Sequence, residues 1–513
     1  MRSFPVVLSI AVAAAQNAPH LRDWRARASE RPLHAVTSCA ALHGLTGYEY
    51  SVIAADAQPA GSQTPEFCRV LLQVIPEIRI EVALPADWNG RLYMFGNGGF
   101  AGESVEAPAR VAHRNGALRR GFAVTQTNTG HDAETEPGAS FAVDPQKLLD
   151  YAFRSLHVTV ETAKRAVAAY YGRRPARSYY NGCSTGGRQG LQFAQRFPDD
   201  FDGIVAGAPA LNGLANRVRA IATGRAQAIA PVPASKLRLL AQRVYARCDE
   251  KDGLHDGLID DPRQCDFNPA RDLPVCQDGD GADCFTAAQL ETIRTIYSDV
   301  VVGGKRLAPG FPPGAEALGP NGRSGWDGWI VRDGELSQSA SMAVSALRYM
   351  VFPKPVLDFD LRQFDFDRHL PRLDRVARLM SATDPDLSRF RARGGKLLMY
   401  FGWADPALNP VLGIEYYEQV EKQMGAGVRD FFRLFLMPGV FHCSGGVGPA
   451  CFDVLEQIIP WVEENRAPDR IIASRLEGGK VLRTRPLCAY PRVARYTGSG
   501  GIDDAANFRC VNP

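Results

Sequence analysis

Short apolar runs that stop at glycine- or proline-containing turns recur along this chain, and they mark its elements. Residues 91–96 (Arg91-Leu92-Tyr93-Met94-Phe95-Gly96) lead into the glycine-rich Asn97-Gly98-Gly99-Phe100-Ala101-Gly102. Residues 177–181 form a second run. Leu191, Ala194 and Phe197 then follow at helical spacing within 187–197, and Pro198 ends that stretch. Residues 201–209 read as a further strand with its loop, 396–402 as a buried strand and 431–436 as another. Apolar runs of this length bounded by turns suit strands covered on both faces, so the pattern predicts an α/β fold around a parallel sheet.

Chemistry enters at Gly182-Cys183-Ser184-Thr185-Gly186, a G-x-S-x-G pentapeptide that follows the 177–181 strand and precedes the predicted helix. A serine that must project its Oγ from the top of a sheet sits on a strained strand-to-helix turn, and glycines two residues either side let the two backbones pass. With 49 glycines in the chain, the pentapeptide could arise by chance. Its partners decide the matter. In an α/β-hydrolase the order along the chain is nucleophile, acid, histidine. The turn Trp403-Ala404-Asp405-Pro406 follows the 396–402 strand, and the loop ending in His442 follows the 431–436 strand. Ser184, Asp405 and His442 are therefore the candidate nucleophile, acid and base. One oxyanion donor is expected to be the amide of Thr185. The second should come from the glycine-rich loop, with Gly99 favoured and Gly98 as the alternative. Cysteines adjoin both Ser184 and His442. If Cys183 and Cys443 are bonded, their Cα atoms must lie about 5.5–6 Å apart, which would hold serine and histidine side by side.

On these residues, with Gly402-Trp403-Ala404-Asp405, His442-Cys443 and the segment from Cys248 to Asp260, most of the chain resembles the tannase/feruloyl esterase family, which includes a hydrolase of mono(2-hydroxyethyl) terephthalate. The resemblance implies an α/β-hydrolase core with a large inserted lid domain. It also implies a disulfide between Cys183 and Cys443 and a calcium loop inside the lid. The residues of that loop suit calcium, which takes six to eight oxygen ligands and mixes carboxylates with carbonyls. Asp249, Asp252 and Asp256 would supply carboxylates and Leu254 and Leu258 carbonyls, the positions that match the family's ligands, while Asp260 and Asp261 add charge. The spacing is not that of an EF-hand. A hard ion so far in sequence from Ser184 reads as structural Ca2+.

Eleven cysteines with no C-x-x-C point to disulfides and an oxidising compartment. The resemblance pairs Cys39 with Cys68, Cys183 with Cys443, Cys248 with Cys265, Cys276 with Cys284 and Cys488 with Cys510, leaving Cys451. An apolar run over residues 6–15 before a small-residue Ala13-Ala14-Ala15 site resembles a signal peptide, placed at 1–18. Ten apolar residues cannot span a bilayer, which takes about 20. A periplasmic or extracellular protein without a membrane anchor is expected.

Composition sets limits only. The chain has 513 residues, 45% hydrophobic and 22% charged, with a net charge of +3 and no basic run, so no nucleic-acid partner is expected. The long interval between Ser184 and Asp405 far exceeds one or two βα units and must hold an insertion. The expected organisation is core at 19–211, lid at 212–390 and core again at 391–513. Trp326, Trp329, Tyr349 and Phe352 lie in the lid and read more readily as lid core than as pocket, and Arg348 as an exposed helix arginine.

The resulting expectation is a secreted carboxylic ester hydrolase that acts on a small-molecule ester of an aromatic acid, feruloyl, galloyl or terephthaloyl. The alternatives are a general carboxylesterase of the same fold with a different acyl pocket and a catalytically silent, lidded binding protein.

Overall fold

The computed structural model describes residues 32–320 and 322–513. The signal peptide expected at 1–18 lies outside them. Among the described residues, nine strands form one sheet in the order β1-β2-β3-β5-β4-β6-β7-β10-β11. They are β1 (Tyr50–Gln58), β2 (Phe67–Val74), β3 (Ile78–Pro85), β4 (Arg91–Phe95), β5 (Ala123–Thr127), β6 (Arg177–Cys183), β7 (Gly203–Gly207), β10 (Lys396–Gly402) and β11 (Phe432–Met437). A small hairpin, β8 (Val300–Val302) with β9 (Lys305–Ala308), lies between β7 and β10 in sequence. The first three strands pair antiparallel with each other and with β5. From β5 onward every pairing is parallel.

Parallel pairing places the carboxyl ends of β4, β6, β7, β10 and β11 along one edge, where the loops at 96–102, 184, 208–212, 403–409 and 438–446 emerge together. Apolar cores cover both faces. Tyr180, Leu191, Phe193, Ile204, Leu397 and Met399 lie in one, and Tyr179, Val205, Leu398, Phe435 and Trp461 in the other. Successive residues of a strand point to opposite faces, so the neighbours Tyr179 and Tyr180 anchor opposite cores. Each such side chain taken from water contributes roughly 1.5–3 kcal/mol.

Between Gly207 and Lys396 the described residues add no strand to the large sheet. They form helices at Gly213–Ile229, Leu237–Cys248, Ala287–Tyr297, Gln338–Tyr349 and Phe366–Met380, over two further apolar clusters that Ala404 and Leu412 also join. One centres on Phe285, Ile293 and Trp326, the other on Val218, Leu347, Phe359 and Leu373. After β11 come two more antiparallel pairs, β12 (Arg470–Glu477) with β13 (Lys480–Cys488) and β14 (Val493–Tyr496) with β15 (Phe508–Val511).

One charge is fully buried in the sheet. Glu81 on β3 accepts from Arg69 Nε and Arg114 Nη1, each at 2.6 Å, and from Gln126 Nε2. Arg69 keeps a second partner in Glu106, but Arg114 has its ion pair only with Glu81 among the described residues. Removing one member of a buried pair strands the other. Glu81→Ala is therefore expected to cost about 3–5 kcal/mol, visible as a lowered urea midpoint with an unchanged m-value.

Candidate active site

The turn after β6 is as tight as the pentapeptide requires. Ser184 has φ 65° and ψ −121° and caps a helix that begins at once, at Thr185–Arg196, two residues earlier than the apolar spacing predicts. A non-glycine residue at positive φ is strained and persists only where its surroundings hold it. Here they do. A Cβ on Gly182 would fall 2.7 Å from the Gly186 backbone, and one on Gly186 would stand 3.2 Å from the Asn97 carbonyl oxygen. Ser184 N–H donates to Gly207 O at 3.0 Å and Ser184 O accepts from Ala210 N at 3.1 Å, tying the turn to the loop after β7.

Asp405 lies just past β10 and is buried. Its Oδ1 accepts from the amides of Ala407 (2.8 Å) and Leu408 (2.9 Å), and its Oδ2 meets His442 Nδ1 at 2.8 Å. A carboxylate only accepts, so Nδ1 carries the proton and Nε2 is left with its lone pair. His442 stands on the loop after β11, with Cys443 at φ 63° beside it. Cys183 and Cys443 are disulfide-bonded with Cα atoms 5.9 Å apart, so the strand that ends at Ser184 is joined directly to the histidine loop. Ser184 Oγ and His442 Nε2 are not hydrogen-bonded; Nε2 lies 3.7 Å from Cys443 Sγ. Such bonds are commonly long before substrate arrives.

The glycine-rich loop distinguishes its two candidates. Gly98 N–H donates to Glu103 Oε1 at 3.2 Å and is occupied. Gly99 has φ 51°, and its carbonyl accepts from Thr185 Oγ1 at 2.6 Å and Tyr151 Oη at 3.0 Å. Thr185 and Gly99, whose amides come from different elements, are thus linked to each other. Behind the loop Phe100, Phe141 and Tyr151 pack ring to ring, with Tyr349 of the insertion against the same cluster.

The four aromatic residues of the insertion divide. Trp326 is fully buried, and Phe352 packs on Phe359 and His369. Trp329 instead packs T-shaped against His442, centroids 5.2 Å apart. Arg348 is half-buried, its Nε donating to Phe359 O at 3.0 Å, rather than free on an exposed helix face.

The acidic loop follows the helix Leu237–Cys248 and is closed by the Cys248–Cys265 disulfide. Among the described residues no three acidic, histidine or cysteine side chains are gathered closely enough to hold a metal alone, so Asp249, Asp252 and Asp256 can supply only part of a ligand shell. Burial, then repulsion from neighbouring carboxylates, raises Asp249 and Asp252 above the usual range, and Asp260 well above it. The Asp249 and Asp256 carboxylates are buried, Asp256 in an ion pair with Arg485, and a cation beside them would relieve the cost of that buried charge, with the Leu254 and Leu258 carbonyls as neutral donors. The loop also approaches the site, because Leu258 Cδ2 packs against Gly439 on the histidine loop.

The remaining disulfides are Cys39–Cys68, Cys276–Cys284 and Cys488–Cys510, with Cα separations of 5.4, 5.0 and 5.6 Å, and Cys451 is unpaired and half-buried. No helix among the described residues is long and apolar enough to cross a membrane.

A mostly parallel sheet with a strained G-x-S-x-G turn at its carboxyl edge defines an α/β-hydrolase. A match to the tannase and feruloyl esterase family spans residues 63–511, and the chain belongs to that family of carboxylic ester hydrolases. It is 35% identical to the mono(2-hydroxyethyl) terephthalate hydrolase of Piscinibacter sakaiensis, over 90% of this chain and 87% of that one. It is also 35% identical to an uncharacterised esterase of Xanthomonas campestris pv. campestris, over 93% and 92%. The crystal structure of feruloyl esterase B from Aspergillus oryzae superposes with a TM-score of 0.78 at 28% identity, covering 92% of this chain and 99% of that one.

Sequence reasoning missed Glu103 and Tyr151 behind the glycine loop. The only available signal for the first was a carboxylate five residues beyond Gly98. The Cys183–Cys443 bridge closes the longest disulfide loop described, and a disulfide of this kind is worth about 2–4 kcal/mol. The Cys183→Ala/Cys443→Ala variant is expected to lose that stability in urea denaturation while its far-ultraviolet circular dichroism stays native at low temperature.

Proposed function

We propose that this enzyme hydrolyses small-molecule esters of aromatic acids by a Ser184–His442–Asp405 triad. The single observation that carries the reading is the His442 Nδ1–Asp405 Oδ2 bond at 2.8 Å on a loop bridged by disulfide to the residue before Ser184. In this mechanism His442 Nε2 takes the Ser184 proton as Oγ attacks the ester carbonyl. The amides of Thr185 and Gly99 receive the oxyanion. The imidazolium, stabilised by Asp405, returns the proton to the departing alcohol, and a water activated by the same imidazole then releases the acid.

The aromatic acyl preference rests on the family and on two observations. Trp329 packs T-shaped against His442, and Phe141 and Tyr151 pack on Phe100 of the glycine loop. Export to the periplasm or medium is supported by the disulfides and by the apolar segment at residues 6–15. We read the interval 212–390 as the lid, and Asp249, Asp252 and Asp256 with the Leu254 and Leu258 carbonyls as a structural calcium site. When bound, calcium would neutralise the crowded carboxylates, and no proton or bond in the reaction depends on it.

A panel of feruloyl, galloyl, terephthaloyl and acetyl esters tests the substrate class. The reading holds if an aromatic ester gives the highest kcat/KM; an acetyl ester turned over faster than all of them would make this a general carboxylesterase. Ser184→Ala should abolish turnover and fluorophosphonate labelling with the melting temperature unchanged. Asp405→Asn should lower kcat by about 10⁴-fold. A binding protein without activity would not be labelled at all.

Calcium chelation, or Asp252→Asn, should lower the melting temperature, since a ligand held only by the native state stabilises it by mass action. Calorimetry with added calcium should restore the temperature of the chelated wild type but not that of the variant.

A further inference from the structure

The glycine-rich loop from Gly96 to Gly102 has no regular secondary structure, yet almost every peptide in it is held. Gly96 N donates to Asn181 O at 2.9 Å, Ala101 N to Gly98 O at 2.8 Å and Gly102 N to Asn128 O at 3.0 Å. Asn97 N donates to Gln189 Oε1 at 3.1 Å. Asn97 Nδ2 also donates to Thr127 O at 2.9 Å, and one carboxylate supplies a further anchor. Glu103 Oε1 accepts from Gly98 N, and Glu103 Oε2 accepts from Asn97 Nδ2 at 2.9 Å and Arg110 Nη1 at 3.1 Å. Arg110 is buried, donates also to Gly96 O at 3.2 Å, and is held by Gln126 Oε1 at 2.7 Å. Gln126 in turn bonds the buried Glu81. A chain of polar contacts therefore runs from the middle of the sheet to the loop and ends on Glu103.

This arrangement determines which way the next amide faces. In a trans peptide the N–H and C=O point in opposite directions. Glu103 fixes the 97–98 peptide through Gly98 N–H. The Ala101 amide fixes the 98–99 peptide through Gly98 C=O, so Gly99 N–H is turned away from the loop interior. Thr185 Oγ1 and Tyr151 Oη hold the following carbonyl. Without Glu103, the 97–98 peptide loses its anchor and Gly98 N–H is free to compete with Gly99 N–H for the oxyanion.

We propose that Glu103 is a positioning residue for the oxyanion hole: its carboxylate occupies the Gly98 amide and so leaves the Gly99 amide, turned outward by the Ala101 N–H bond to Gly98 O, as the donor that meets the reacting carbonyl. The inference rests on the triad reading above. Glu103 touches no reacting atom and acts only through the loop. Because preorganised donors matter most in the transition state, its loss should appear in kcat and not in ground-state binding.

The test compares wild type, Glu103→Ala and Glu103→Gln for kcat, KM, melting temperature, and affinity for two ligands. One is a trifluoromethyl ketone, whose serine adduct carries an oxyanion; the other is the product acid. Removing an oxyanion donor outright costs about 10²–10³-fold, so misdirecting one should cost about 10–100-fold. Glu103→Ala is expected to lose that factor in kcat and in trifluoromethyl ketone affinity together, with product-acid affinity and KM within about twofold of wild type. Glu103→Gln, which keeps an acceptor for Gly98, should recover most of the loss. Wild-type kcat in Glu103→Ala would overturn the inference. So would a lowered kcat with unchanged ketone affinity, or a glutamine variant as impaired as the alanine one, since that pattern belongs to the Arg110 ion pair alone. If Glu103→Ala does not fold, Glu103→Asp is measured in its place by the same criteria; it keeps charge for Arg110 but shortens the reach to Gly98. Failure of the triad reading would show separately, as wild-type enzyme that fluorophosphonate does not label.

Discussion

The constraint on which the site depends is the close approach of three backbones at the turn after β6. The helix that begins at Thr185 passes so near the loop after β4 and the strand it leaves that a side chain is excluded at Gly182 and crowded at Gly186. That approach has two consequences. It forces Ser184 into a conformation that costs of order 1–3 kcal/mol, and it brings the amides of Thr185 and the glycine loop to the same place. The strain is offset by packing around the turn, where Leu191, Phe193 and Ile204 are fully buried.

The pairing between Ser184 and His442 is enforced differently from the pairing between His442 and Asp405. Asp405 is held by two amides and holds the imidazole in turn, a chain of hydrogen bonds that fixes both tautomer and orientation. Between serine and histidine the link is covalent, through their neighbours. A disulfide does not orient a hydroxyl, but it restricts how far the two loops can separate.

Five of the strands that are covered on both sides were legible in the sequence, while β3 and β5, buried along nearly their whole length, were not. β4, β6, β7, β10 and β11 are continuous apolar runs because the sheet is sandwiched between two cores, and their carboxyl ends could be placed by the turns that follow. The edge strand β1 and its neighbour β2, where buried positions are interspersed with exposed or half-buried ones, gave no such run and were not foreseen. Trp326 and Trp329 could not be told apart from spacing, three residues being one helical turn. The chain breaks that turn at Asp327 and Gly328, the latter at φ 87°, and so sends Trp326 into the insertion's core and Trp329 toward the histidine. Glu103 was invisible for another reason: a loop carboxylate looks solvated until the amide and guanidinium it meets are known.

The acidic loop shows how the insertion and the core depend on each other. Leu258 and Gly439 are in contact, and the carboxy-terminal strands reach the loop from the other side. Arg483 donates to Asp256 O at 3.0 Å, Arg495 to Asp252 O at 2.8 Å, and buried Arg485 pairs with the Asp256 carboxylate while stacking 3.9 Å from the Phe508 ring centroid. Three arginines therefore bind the loop whether or not a cation does, and β13, which carries two of them, packs beside β11, the strand that leads to His442. A loop held only by an ion would release both insertion and histidine when the ion left. One held by arginines as well keeps its place against Gly439, so the contact between insertion and histidine loop does not depend on an ion.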